Sequence, residues 1–102
     1  MPTDFRTQSI SIPRNTGRRS IKGSAQFGSR VNRAAVALNG YKMDYVNDDH
    51  HINIVEVDTD LDPTIPISGN TVNFRVECNY ADKNFDDLYE GYVTVLVIAD
   101  VA

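Results

Sequence analysis

Residues 90–101, near the end of the sequence, have the pattern of a β-strand that is apolar on both of its faces. Side chains alternate across a strand, so every second residue shares a face. The first face carries small aliphatic side chains: Val93, Val95, Val97 and Ala99. The second face carries larger side chains around one threonine: Tyr92, Thr94, Leu96 and Ile98. The first face fills the protein's own core, and we expect another copy of the same chain to cover the second.

The length of 102 residues corresponds to one domain, and 41% hydrophobic and 24% charged residues are typical of a soluble globular protein. No apolar run approaches the roughly 18 residues of a membrane helix, so we expect no membrane partner. The opening residues, Met-Pro-Thr-Asp-Phe-Arg, lack the apolar segment of a secretory signal. The localisation therefore stays open between export by a non-classical route and attachment to a particle.

The net charge of −4 is distributed unevenly along the chain. Seven basic residues and one acidic residue occur through position 33, whereas three basic and thirteen acidic residues follow. We therefore divide the chain into a basic N-terminal arm with a short strand, residues 1–18, and a β-sandwich domain, residues 19–102. The arm either binds phosphates or lies against acidic surface of its own or a neighbouring copy. Its scattered arginines favour the second alternative, so nucleic acid is not an expected partner.

Alternation of polar and apolar residues between turn signals predicts strands and no helix. A change of parity around Asn39 and Gly40 predicts a β-bulge at Gly40. Residues 58–70 contain Pro63, Pro66 and Gly69 and are predicted to be a loop. The fold class is all-β, a six-stranded antiparallel β-sandwich. The predicted strands cover residues 8–12, 18–27, 33–45, 51–58, 72–80 and 90–101.

Cys78 is the only cysteine, so the chain forms no intrachain disulfide. It falls in an alternating apolar series and is predicted to be a small core residue. Two acidic segments suggest metal ligands. In Asp48-Asp-His-His51 adjacent side chains diverge, and the segment from Asp58 to Asp62 lacks the glycine and glutamate of a calcium loop. We therefore expect no metal site and no cofactor.

Carboxylates, amides and aromatic rings are concentrated in and beside residues 81–89. This composition suits sugar binding, because polar groups bond to hydroxyls and a ring stacks on the apolar face of a sugar. An exposed polar loop has the same composition. Paired carboxylates for glycoside hydrolysis need a defined separation, which the sequence does not supply. No nucleophile elbow, phosphate-binding glycine loop, HExxH or CxxC motif occurs, so we expect no enzyme.

Five segments together resemble the H-type lectin domain, over roughly residues 19–99. Members of this family are six-stranded antiparallel β-sandwiches that assemble as trimers, sometimes stacked into hexamers. They bind galactose-type sugars in clefts between protomers. The resemblance lies in hydrophobic spacing and strand order in these segments: Ser24-Ala-Gln-Phe27, 32–38 with Met43-Asp44, 51–55, 72–80 and 92–99.

The resemblance implies a sugar site in which Asn53 stands where the family commonly has an arginine. Tyr80 or Phe85 would supply the stacking surface in place of the family's tryptophan, since this chain has none. The loss of both the guanidinium and the indole leaves the type of sugar open. The predicted ligand-binding residues are Asn53, Asn79, Tyr80, Asp82 and Phe85.

Two functions follow as hypotheses. The first is a carbohydrate-binding, lectin-like homotrimer that binds glycans at protomer junctions, where multivalency turns weak contacts into useful avidity. The second is a non-catalytic structural or decoration trimer of a bacterial, phage or phage-like assembly.

Overall fold

A computed structural model describes residues 2–46, 52, 54–81 and 88–102 of the chain. In the described residues the chain is all-β, which confirms the predicted fold class at that level. Six strands are long, and a further strand of two residues, β5, was not predicted. The strands are β1 (Thr3–Asn15), β2 (Arg19–Gln26), β3 (Val31–Tyr45), β4 (Ile54–Leu61), β5 (Ile67–Ser68), β6 (Thr71–Ala81) and β7 (Tyr89–Val101).

The strands form two antiparallel sheets that pack face to face as a β-sandwich. Sheet A has the order β1-β7-β3, and sheet B has the order β2-β6-β4 with β5 paired to β6. Strand β1 packs against β2, and β3 packs against β4, so each lateral edge of the sandwich consists of two edge strands. We call these the β1/β2 edge and the β3/β4 edge.

The core consists of the inward faces of the two central strands, β6 and β7. The predicted inner face of the last strand is confirmed, since Val93, Val95 and Val97 are fully buried. Each such valine contributes about 1.5–3 kcal/mol relative to an exposed one. Cys78 is buried and free, as predicted. A Cβ at Gly23 would lie 2.7 Å from the Phe74 ring, so this glycine of β2 makes room for a buried ring of β6.

The predicted β-bulge at Gly40 is confirmed by a shift in the β3–β7 register between Leu38 and Gly40. Before the bulge Leu38 pairs with Val95, and after it Tyr41 pairs with Val93. Both partners belong to the core face of β7. The extra residue therefore keeps the apolar side chains on one face across the parity change in the sequence.

Two strands extend three residues or more beyond their predicted ends, and β2, β3, β6 and β7 differ from the prediction by one or two residues. Strand β1 runs from Thr3 to Asn15, beyond the predicted residues 8–12, because it pairs with almost the whole of β7. Strand β4 continues to Leu61, so residues 58–61, which were predicted to begin a loop, belong to a strand. Carboxylates on the solvent face of an edge strand produce the same polar pattern as a loop. The division into an arm and a domain at residue 18 stays a prediction.

The molecule is elongated, with extents of 49 × 22 × 18 Å. Packed sheets lie about 10 Å apart, so the smallest extent accommodates two layers and no third. The outer face of sheet A is consequently open in the single chain, and it carries the exposed rings of Phe5 and Tyr92 beside the partly buried Leu96 and Ile98. In the described part of the chain we find no helical segment of membrane-spanning length and hydropathy.

Candidate functional site

A row of aromatic rings closes the core near the ends of β3, β6 and β7. The Tyr80 ring centroid lies 4.6 Å from that of Tyr45 and 6.1 Å from that of Tyr89. The Arg19 guanidinium carbon lies 4.2 Å from the Tyr89 centroid, a cation–π contact. The Tyr89 hydroxyl donates a 2.7 Å hydrogen bond to the Gly17 carbonyl. These contacts fix the ring of Tyr80 between two other rings.

The hydroxyl of Tyr80 lies close to charged and polar groups of β3. Burial raises the pKa of this hydroxyl, and the Asp44 carboxylate and the Tyr41 hydroxyl raise that pKa further. Tyr80 therefore remains protonated at neutral pH and can donate a hydrogen bond. Asp44 also lies 3.5 Å from the Lys42 ammonium.

Tyr41 presents an exposed ring beside these groups. The residue is 48% exposed, although it pairs with Val93 on the core-facing side of β3, because β3 is the edge strand of its sheet. Val55, the cross-strand partner of Tyr80 on β4, is also exposed. Asp44 alternates with Tyr41 and shares the outer face of sheet A with Lys42, so the β3/β4 edge joins a half-exposed ring and two hydroxyls with a carboxylate that acts on them only through its charge. We call Tyr41, Asp44, Val55 and Tyr80 the tyrosine site.

Asn79 and Tyr80, which were both predicted to bind the ligand, lie on opposite faces of sheet B. Neighbouring residues of a strand point in opposite directions, and the β4–β6 register is regular through both positions. Asn79 is 8% exposed, and its Oδ1 has no hydrogen-bond partner among the described residues. An unpaired buried oxygen costs about 1–3 kcal/mol. The structure therefore does not place Asn79 in the tyrosine site.

Three predicted ligand-binding residues, Asn53, Asp82 and Phe85, lie outside the described residues. The same holds for Asp48 through His51, which was considered as a metal site. Sequence reasoning missed Tyr41, Asp44 and Val55. The signal for Tyr41 and Asp44 was the strand that continues past the bulge, but the sequence does not reveal that this strand, or the β4 strand that carries Val55, lies at an edge.

An acidic stripe follows the outer face of β4. Ligand oxygens of Asp58, Asp60 and Glu77 lie within 4.8 Å of one another. Glu77 is held by cations on both sides, since Arg18 lies 2.6 Å and Arg75 lies 3.1 Å from its carboxylate oxygens. This arrangement is an ion-pair network on a solvent-facing sheet, in which the cations already satisfy Glu77.

Basic residues among the first 33 contact carboxylates of the same chain. The distances are 3.0 Å for Arg6 to Asp4, 3.2 Å for Arg14 to Glu90, 2.7 Å for Arg18 to Glu56 and 3.6 Å for Lys22 to Asp62, and Arg33 contacts Asp100. Such contacts correspond to the predicted alternative in which this segment lies against the protein's own acidic surface.

Comparisons with known proteins do not assign the chain to a group. No family model, no curated protein and no solved structure matches it. Functional inference therefore depends on the residues and geometry described above.

Proposed function

We propose that this protein is a carbohydrate-binding, lectin-like module that acts as a homotrimer and binds glycans at the junctions between protomers. The observation that carries the proposal is the tyrosine site. The exposed Tyr41 ring offers an apolar surface for a sugar ring, and the Tyr80 hydroxyl donates to a sugar hydroxyl. The resemblance to H-type lectins supports the same class of ligand.

The homotrimer is supported by the outer face of sheet A. Phe5 and Tyr92 are more than two-fifths exposed there, and Ile98 and Leu96 lie between them on the central strand. A contiguous apolar surface of this kind is uncommon on a monomer. Trimer formation would cover this surface and place three glycan sites on one assembly, which raises avidity without new contacts.

A glycan array with the purified protein tests the proposal, combined with light scattering to measure the mass in solution. Tyr41→Ala removes the stacking ring, so we expect glycan binding to fall about tenfold or more at each site. Tyr41→Phe keeps the ring and should retain most of the binding. Tyr80→Phe removes only the donor, because the ring stays packed, and should weaken binding about two- to tenfold.

Phe5→Ala is the matched control, since Phe5 is 55% exposed on the outer face of sheet A and pairs with Ile98, whereas Tyr92 pairs with Lys42, the ion-pair partner of Asp44. Because the proposed sites lie at protomer junctions, we expect this variant to lower glycan binding only as far as it lowers association. Binding that survives Tyr41→Ala at the wild-type level would place the sugar elsewhere. A stable trimer that binds no glycan at high protein concentration would exclude the lectin function.

The second candidate is a structural or decoration trimer of a bacterial, phage or phage-like assembly. The outer face of sheet A favours it, because that face promotes association whether or not a glycan binds. Under this proposal Tyr92→Ala and Phe5→Ala weaken association, and Tyr41→Ala leaves association unchanged. The two variants at different surfaces therefore separate the candidates.

A further inference from the structure

The two lateral edges of the sandwich carry opposite charge. Strands β1 and β2 with their connecting turn contain five basic residues and one acidic residue: Arg6, Arg14, Arg18, Arg19, Lys22 and Asp4. Strands β3 and β4 with the residue that follows β4 contain two basic and five acidic residues: Arg33, Lys42, Asp44, Glu56, Asp58, Asp60 and Asp62. Each edge therefore attracts the other and repels itself.

The acidic charge of β4 is only partly neutralised within the chain. Glu56 contacts Arg18, and Asp62 contacts Lys22. Asp58 and Asp60 are exposed and contact no cation among the described residues. The carboxylates of Asp58 and Asp60 are therefore available to a positively charged partner.

The β3/β4 edge is also open to a partner in shape and hydrogen bonding. Between Arg33 and the bulge, β3 presents only small or aliphatic side chains, and no strand of the described residues pairs with its outer edge. Two cavities adjoin this stretch and share Ala34 and Ala35 in their walls. One has a volume of about 210 Å³ on the outer face, and the other, about 570 Å³, lies toward β4 and includes Asp60.

The β1/β2 edge differs, because arginines cover its core side chains. The Arg6 guanidinium carbon lies 4.8 Å from the Phe27 ring centroid, and Arg6 Nε donates to the Gln26 carbonyl at 3.0 Å. Arg19 covers Tyr89 in the same way and also donates to the Pro13 carbonyl. This edge therefore presents guanidinium groups, whereas the opposite edge presents aliphatic side chains and carboxylates.

We propose that the β3/β4 edge of one protomer docks the β1/β2 edge of a second copy of this chain, head to tail. Charge selects this arrangement, since pairing two identical edges would bring like charges together. A head-to-tail contact is heterologous and closes into a ring when the rotation allows it. The inference rests on the proposed homotrimer and adds an edge contact to the apolar contact of the outer face of sheet A, so that association needs both.

A charge-swap experiment tests this arrangement. The first variant, Asp58→Lys with Asp60→Lys, changes the net charge of the acidic edge from −3 to +1, and the second, Arg14→Glu with Lys22→Glu, changes that of the basic edge from +4 to 0. We expect each variant alone to have the protomer mass of 11.4 kDa by light scattering at micromolar concentration. An equimolar mixture should form a complex of two protomers, because the unaltered basic edge of the first variant then meets the unaltered acidic edge of the second.

Milder variants provide the matched controls. Asp58→Asn with Asp60→Asn removes two negative charges from the acidic edge, a change of +2, and should raise the dissociation constant about tenfold or more. Ser20→Lys with Ser24→Lys adds the same two units on exposed positions of β2 and should not weaken association. Circular dichroism confirms that each variant is folded.

The outcomes separate this inference from the proposed function. If each charge-swap variant keeps the wild-type mass, if the mixture of folded variants stays dissociated, or if the wild type is a protomer, the head-to-tail contact is wrong. If the wild type is a protomer and still binds glycans, the proposed tyrosine site would remain supported. A complex of two protomers in the mixture, together with a wild type that binds no glycan, would support the contact and exclude the lectin function.

Discussion

Replacing Gly91 with alanine should destabilise the fold severely, because β7 and β3 approach each other closely at this residue. A Cβ at Gly91 would lie 1.7 Å from the Lys42 carbonyl oxygen and 3.0 Å from the Met43 Cα. Carbon and oxygen atoms of neighbouring strands normally approach to about 3.3–3.6 Å. The two backbones would therefore have to separate by more than an ångström.

The magnitude follows from what this separation disrupts. Gly91 lies on the central strand and pairs with Met43 on one side and with Ile12 on the other. Loss of about two ladder hydrogen bonds costs about 1–3 kcal/mol. Displacement of the adjoining core side chains costs about 1–3 kcal/mol more. We expect a loss of about 4 kcal/mol from a total of about 5–15, and a fall in Tm of roughly 20 °C.

Urea unfolding followed by circular dichroism measures this change, at one protein concentration so that association does not contribute. Gly40→Ala is the matched control on β3, since nothing lies within 4 Å of its added Cβ. We expect that variant to lie within about 1 kcal/mol of the wild type. If Gly91→Ala loses less than about 1 kcal/mol, or if both variants lose the same amount, the reasoning from close strand approach is refuted.

Three further predictions concern buried polar groups. Tyr89→Phe removes the hydrogen bond to the Gly17 carbonyl and should cost about 1–2 kcal/mol by urea unfolding; an unchanged midpoint would contradict this. Hydrogen bonds from Thr64 lower the pKa of Asp62 from 3.8 to about 2, so its stabilising contribution is complete above pH 4 and is lost as the pH falls toward 2. The difference in stability between the wild type and Asp62→Asn should shrink over that range, and a constant difference would refute the assignment. Burial raises the pKa of the Cys78 thiol, so iodoacetamide should modify it only after unfolding, whereas rapid modification of the native protein would show that the thiol is accessible.

Several features of the fold were predictable because they depend on local alternation. The inward face of β7 and the bulge at Gly40 follow from the period of two and from one change in parity. The opposite orientations of Asn79 and Tyr80 follow from the same rule, although both were predicted to contact one ligand. Alternation fails at residues 58–61, where carboxylates on an edge strand resemble a loop.

The tyrosine site could not be predicted, because it depends on which strands lie at the edges. Tyr41 and Val55 point toward the core side of their sheets, yet both are exposed, since no strand lies beyond β3 or β4 in the described topology. Asp44 approaches the Tyr80 hydroxyl only because β3 packs on sheet B. Such proximity joins residues far apart in the sequence.

The sequence by itself determined that this chain forms antiparallel strands, which side chains of the last strand are buried and where β3 carries its extra residue. These properties depend on the alternation of neighbouring residues, which needs no knowledge of distant ones. Only the tertiary structure decided the strand order, and with it the separation of positive charge on the β1/β2 edge from negative charge on the β3/β4 edge. Strand order is set by hydrogen bonds and core packing between segments that are distant in the sequence. The energies of these contacts cannot be read from the pattern of neighbouring residues.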